Sequence, residues 1–311
     1  MIIFPTGSIN IMQYTLRQLA YLVAVADHGS VTAAANALYT SQPGISSAIA
    51  QLEAQFGLQF FIRHHAKGVS LTPAGQSFVA AARNLLAHAE DLSQHASALS
   101  QSLQGNLELG CFTTIAPIFL PRLLAAMRED YPDISVRLHE GDTEQLQQAL
   151  LSGQTELALL YDLDLAPSLY RQTLQTVLPY VLLPAAHPLA GQVAVSLQDL
   201  APLPMVLLDL PHSREYFLSV FRLQGLEARV RHKTVNFELV RGLVAAGNGY
   251  ALLNLRPQTP QSYAGDQLVC LPIVEEVPAL NIVLAWPQEL RLTRRAEAFV
   301  TLCERSISRL G

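Results

Sequence analysis

The chain has 311 residues and a mass of 33.9 kDa, enough for two or three domains with sizeable cores. Half of the residues are hydrophobic, 14% are charged and the net charge is −5, so no broad basic field surrounds it. No apolar run approaches the roughly 18 residues of a membrane span, and a membrane partner is not expected.

Residues 15–29 carry apolar side chains at helical spacing (Leu16, Leu19, Ala20, Val23, Ala26), and Gly29 stops that helix. Ser30 can cap a second helix over 31–38. Thr40 or Ser41 caps a third, which runs to about residue 55 with Ile45, Ile49 and Leu52 on one face. Pro43 is tolerated in its first turn, where no backbone donor is needed. Three short helices this close can bury a common core and present the third outward. A hairpin follows, with strands over 59–63 and 69–71 around a turn at 64–68. Thr72-Pro73 then reads as an N-cap followed by proline at the first helical position.

The apolar seam Phe78, Ala82, Leu85, Ala89, Leu92, Ala96, Leu99, Leu103 advances in alternating steps of four and three. That rhythm favours helix pairing; the plainer alternative is one amphipathic helix lying on its own domain. After Gly105, strands are predicted over 107–111, 134–140 and 156–160, alternating with helices over 115–131 and 144–151. This order implies a parallel sheet with helices on its faces. A second set has strands over 180–183, 205–208, 229–234 and 250–253, with helices over 213–223 and 237–246. The tail returns with strands over 269–272 and 281–285 and an amphipathic helix over 292–310. Two α/β lobes with a cleft between them follow, and open sheets of this kind bind ligands beyond the carboxyl ends of their strands.

Residues 16–75 carry Leu16-Arg17-Gln18-Leu19, Gly29-Ser30, Ala33-Ala34, Ser41-Gln42-Pro43, Ser46, Leu52-Glu53, Phe61, Arg63, Leu71-Thr72 and Gly75. Together these strongly resemble the N-terminal segment of LysR-type transcriptional regulators. The resemblance implies an α/β architecture with a winged helix-turn-helix over 12–72, a linker helix over 73–104 that pairs two chains, and an effector-binding domain over 105–311. That last domain would resemble type 2 periplasmic binding proteins, with lobe I over 105–162 and 269–311 and lobe II over 163–268. It implies double-stranded promoter DNA and a small-molecule effector as partners, a homodimer or homotetramer, RNA polymerase if the protein activates, and a cytoplasmic location. No cofactor is expected.

By that resemblance Thr32, Ser41, Gln42, Pro43, Ser46 and Ser47 face bases or phosphates. Gln can pair with adenine, Pro can touch a thymine methyl, and short hydroxyls hold phosphates. Arg63 and Lys67 in the wing would bind phosphate or the minor groove. Ser46 and Ser47 could also be no more than solvated helix positions. Relatives often carry basic residues where this chain has Ser47, Ala50 and Gln51. Through residue 90 the cations are Arg17, Arg63, Lys67 and Arg83, against Asp27, Glu53 and Glu90. A shallow salt dependence of DNA binding is therefore expected.

Thr113 and Thr114 follow a predicted strand and precede a helix, where hydroxyls and free amides favour an anion. Thr143, Ser213 with Arg214, and Asn236 with Phe237 begin other helices, which the resemblance places around the cleft. Each could equally be only a helix cap. Arg214 could pair with a carboxylate, which gives a preference for an anionic effector.

Enzyme signatures such as G-x-S-x-G, H-E-x-x-H and Walker A are absent. Cys111, Cys270 and Cys303 lie far apart without metal spacing, and a reducing compartment fits them. The family's peroxide-sensing branch pairs cysteines in the second lobe; here Cys111 and Cys270 fall in predicted strands and Cys303 in the last helix, so thiol sensing is not expected. His64 and His65 are adjacent in the wing and read as solvated rather than metal-binding. A periplasmic solute-binding protein, suggested by the two lobes alone, is the rival reading; residues 16–75 oppose it. Residues 1–11 lack a basic start and a small-residue cleavage site, and Met12 resembles the usual lead into the first helix.

Overall fold

The computed structural model describes residues 14–64, 68–97 and 103–307. The chain divides into two units, residues 1–100 with 151–154, and residues 101–150 with 155–311.

In the first unit α1 (Leu16–His28), α2 (Val31–Ala37) and α3 (Gln42–Phe56) precede the hairpin of β1 (Phe61–His64) and β2 (Gly68–Leu71), and α4 (Pro73–Ser97) follows. Side chains fix each start. Thr15 and Gln18 form a reciprocal capping box on α1, Ser30 accepts from the Ala33 amide at α2, and Ser41 accepts from the Gly44 amide at α3. Leu19, Leu22, Ile45, Leu52 and Phe60 are buried together, each worth about 1.5–3 kcal/mol of apolar transfer.

The expected seam of α4 divides along its length. Val79 and Ala82 are buried in this core, and Phe78 stacks on Phe60 with ring centroids 4.4 Å apart. Leu85 and Leu92 are exposed instead, Leu92 by 70%. The first turns thus lie on their own domain, and exposed apolar positions begin beyond them. Leu99 lies outside the described residues.

The second unit begins with β3 (Gly105–Phe112), α5 (Ala116–Asp130), β4 (Ile134–Gly141), α6 (Thr143–Leu151), β5 (Leu157–Tyr161) and β6 (Leu169–Val177). Then come β7 (Tyr180–Pro184), α7 (Leu197–Leu200), β8 (Pro204–Leu208), α8 (Ser213–Arg222), β9 (Arg229–Thr234), α9 (Phe237–Ala245), β10 (Ala251–Leu253) and β11 (Leu268–Pro272). β12 (Leu280–Pro287) and α10 (Arg294–Ile307) complete it.

The five-stranded sheet has the order β4-β3-β5-β12-β6, parallel across β4-β3-β5 and antiparallel where β12 joins β5 and β6. β5 is buried at every position, as its Leu-Ala-Leu-Leu-Tyr run requires of a strand covered on both faces. The other lobe pairs β10-β7-β11 antiparallel and β8-β9 parallel, with a Met205–Tyr250 bridge between the sets.

These pairings shift both lobe crossings from where the sequence suggested. β6 was not expected as a strand, yet it belongs to the first sheet, so the chain leaves lobe I near 178–179 rather than at 163. β11 pairs with β7, so the chain stays in lobe II through Pro272 and returns over 273–279.

Candidate nucleic-acid interface and ligand cavity

In α3 the buried positions Ile45, Ala48, Ile49 and Leu52 alternate at helical spacing with Gln42, Pro43, Ser46, Ser47 and Ala50. Of the outward set, Gln42, Pro43, Ser47 and Ala50 are exposed and Ser46 is half-buried. Thr32 is exposed at the second position of α2. The Ser41 hydroxyl accepts from the Gly44 amide at 3.3 Å, so its oxygen already serves the helix start. Gln51, where relatives often carry a cation, accepts a hydrogen bond from Gln18 at 3.0 Å and ties α1 to α3.

Arg63 stands exposed on β1, paired across the hairpin with Val69. His64 contacts the Ser70 hydroxyl at 2.7 Å. Lys67 and His65 lie outside the described residues. Arg83 is paired with Asp27, which removes one of the few cations from contact with a ligand.

Several motif residues hold the wing in place instead of facing outward. Glu53 Oε1 accepts from the amides of Phe60 at 2.7 Å and Phe61 at 3.2 Å. The Thr72 hydroxyl donates to the Gln59 carbonyl at 2.6 Å. A Cβ on Gly75 would fall 2.1 Å from the Phe60 carbonyl oxygen, a distance no side chain tolerates. The Val69 amide donates to the Gly29 carbonyl at 2.8 Å, joining hairpin to helical turn.

In the second unit a cavity of about 1230 Å³ opens between the lobes. Thr113, Thr114, Asn236 and Phe237 line it, as expected. Four of the residues that line it carry a buried oxygen without a hydrogen-bond partner among the described residues: Thr113 Oγ1, Gln175 Oε1, Asn254 Oδ1 and Ser262 Oγ. Buried polar groups are rarely left so, and four of them belong to residues of this one cavity wall.

Arg241 also reaches this cavity although it is 1% exposed. Its guanidinium donates to Glu238 Oε2 at 2.8 Å and to the carbonyls of Thr259 at 3.2 Å and Gln261 at 2.5 Å, so it braces the wall. Arg256 has no such partners among the described residues; its guanidinium carbon lies 4.9 Å from the Tyr180 ring centroid. Arg122 lines the cavity as well, exposed and likewise without such a partner among the described residues, so Arg122 and Arg256 are the cations open to an anionic group.

Three expected effector residues fall elsewhere. Thr143 is buried away from the cavity lining, and the start of α6 is closed by Asp142 and Gln145, which accept each other's amides at 2.9 and 3.0 Å. Ser213 is buried at a narrow gap beside Phe112 and Tyr161. Arg214 is paired with Asp209 and does not line the cavity. Asn236, which does line it, accepts from the Leu239 amide at 2.9 Å and so doubles as the α9 cap.

Gln175, Asn254, Ser262 and Arg256 were not anticipated. Strand or loop positions give no cue like a helix start, and β6 itself was unread. Burial pushes the thiols of Cys111 and Cys303 far above the ordinary range, and burial also raises Cys270 against the opposing pull of Arg256. None is poised as a reactive thiolate. Among the described residues, no His, Cys, Asp and Glu cluster could hold a metal ion, and no helix is long and apolar enough to cross a membrane.

A winged helix-turn-helix joined in one chain to a two-lobe domain with a polar cleft defines a DNA-binding transcriptional regulator with an effector-binding domain. The LysR substrate binding domain family matches residues 100–308, and the bacterial regulatory helix-turn-helix protein, lysR family, matches residues 16–76. The chain belongs to the LysR family.

Solved structures similar to it include HinK, a LysR family transcriptional regulator from Pseudomonas aeruginosa. The two are 39% identical, with a TM-score of 0.65, covering 96% of this chain and all of HinK. The DNA-binding transcriptional dual regulator OxyR of Escherichia coli is 29% identical over 91% of this chain and 94% of its own. The HTH-type transcriptional regulator CysB of Haemophilus influenzae is 32% identical over 196 residues, which span 61% of this chain and 60% of CysB.

Proposed function

We propose that this regulator binds promoter DNA as a homodimer or homotetramer and changes its DNA geometry when a small polar effector enters the interlobe cavity. Residues 12–72 serve as the DNA-binding domain, 73–104 as the pairing helix and 105–311 as the effector domain. Within the DNA-binding domain, Gln42 and Pro43 read bases while Thr32, Ser41, Ser46, Ser47, Arg63 and Lys67 hold the backbone. The protein works in the cytoplasm, engages RNA polymerase if it activates, and catalyses no reaction.

The presence of four unpaired buried oxygens in residues of the cavity wall carries the effector reading. They call for a ligand rich in hydrogen-bonding groups, and the unpaired Arg256 favours one that also bears a negative charge. A thermal-shift screen of the full chain against small metabolites tests this. At least one hydroxylated or amide-bearing anion should raise the melting temperature, and Asn254→Ala and Arg256→Ala should each abolish the shift. A hit that both variants bind as wild type does would place the effector elsewhere. A gel shift on the chain's own upstream DNA, with and without the hit, then reads the coupling.

A further inference from the structure

Tyr39 is the most exposed large hydrophobic side chain described, at 98%, and it occupies the turn between α2 and α3. Its backbone is left-handed, with φ 50, a conformation that costs a bulky residue free energy and suits glycine or asparagine. Neither fact has a folding rationale. The ring buries nothing, and a smaller residue would hold the turn with less strain.

The turn is nevertheless fixed. The Tyr39 amide donates to the Asn36 carbonyl at 3.3 Å and the Thr40 amide to the Ala35 carbonyl at 2.9 Å. Tyr39 is thereby held two residues ahead of Ser41, which caps α3, and three ahead of the exposed Gln42. An exposed aromatic hydroxyl thus stands on a fixed backbone at the entrance of the helix that presents the outward polar face.

Charge adds an independent reason. The segment through residue 97 contains only Arg17, Arg63, Lys67 and Arg83, and Arg83 is engaged with Asp27. With so few cations, neutral donors must supply a larger share of the backbone contacts, and tyrosine is among the side chains able to do so. We propose that Tyr39 is a DNA-backbone contact whose hydroxyl donates to a phosphate at the edge of the site read by α3.

A phosphate contact is independent of base sequence, so the test needs no known operator. Full-length wild type, Tyr39→Phe and Tyr39→Asn are titrated by fluorescence anisotropy against a random-sequence duplex and the chain's own upstream DNA over a salt series. Loss of one net hydrogen bond should weaken both variants about threefold to tenfold on both duplexes. The salt slope should not change, because a neutral donor displaces no counterion. Tyr39→Asn should melt no lower than wild type, since asparagine tolerates the left-handed turn. Either variant binding as tightly as wild type would overturn the assignment, as would a loss confined to the upstream DNA. A changed oligomeric state with unaltered DNA affinity would assign the ring to self-association and equally overturn it.

Discussion

His212 Nδ1 lies 2.9 Å from Asp164 Oδ2, and both residues hold left-handed backbone, with φ 61 and 50. Asp164 sits in the loop between β5 and β6 of lobe I, and His212 immediately precedes α8 of lobe II. Two turns that each cost conformational energy are therefore clasped to one another across the lobes. In the same helix Tyr216 donates to the Pro278 carbonyl at 2.7 Å, on the returning segment.

The Asp164 side chain is 77% exposed, so this hydrogen-bonded contact is worth only about 0–1 kcal/mol, comparable with the roughly 1 kcal/mol of strain its turn stores. Asp164→Gly removes both at once. The melting temperature should move by no more than about 4 °C, while limited proteolysis of the 161–168 loop should speed up. A large loss of stability with unchanged proteolysis would show that the clasp contributes stability and not loop order.

Leu92 is exposed on α4, whereas Ala82 on the same helix is buried in the first core. Leu92→Asp should leave the fold intact and convert the oligomer to a smaller species in light scattering, because a charge would enter a helix interface. Ala82→Asp should instead unfold the first unit. An unchanged oligomer for Leu92→Asp would move the pairing surface off this face.

Arg63 and Gln42 should separate backbone holding from base reading. Arg63→Ala should weaken binding to cognate and random DNA alike and flatten the salt slope by about one. Gln42→Ala should cost about 1–3 kcal/mol chiefly on the cognate site. Identical behaviour of the two across sequences would refute the division.

Glu275 lies on the returning segment and accepts from the Ser196 hydroxyl at 2.6 Å and the Leu197 amide at 3.0 Å. Partial burial by itself would raise its carboxyl, but these hydrogen bonds prevail and hold it below the ordinary range. A depressed carboxyl adds stability above its unfolded value of about 4.3, and that stability fades as pH falls through the folded value. Glu275→Gln should therefore cost about 0.5–1 kcal/mol at pH 7, a figure reduced for partial exposure. The gap between variant and wild type should close below about pH 4. Denaturation curves keeping a constant gap down to pH 3 would contradict this.

Local patterns were legible in the sequence; relations across the chain were less so. Caps such as Ser30, Ser41 and Asn236 act within four residues and could be read directly. β6 could not, because a bulge opposite Ile282 and Val283 leaves Leu174 as an extra residue and breaks the alternation that marks a strand. Missing β6 displaced the lobe crossing and hid Gln175. Thr143 and Arg214 carried suitable chemistry, but Asp142, Gln145 and Asp209 occupy those helix starts. The resemblance residues Glu53, Thr72 and Gly75 mark contacts within the scaffold, visible only once Gln59 and Phe60 are seen against them.

The position of β12, between β5 and β6, also sets an order of assembly during synthesis. Lobe II is one continuous stretch and can close as soon as β11 has emerged. Lobe I must wait, since its central ladder is supplied by residues translated more than a hundred positions after β5. Until then two strands stand with unpaired edges, the condition in which chains mispair with their neighbours. A nascent chain stalled before residue 280 would thus carry a finished second lobe hanging from an unfinished first.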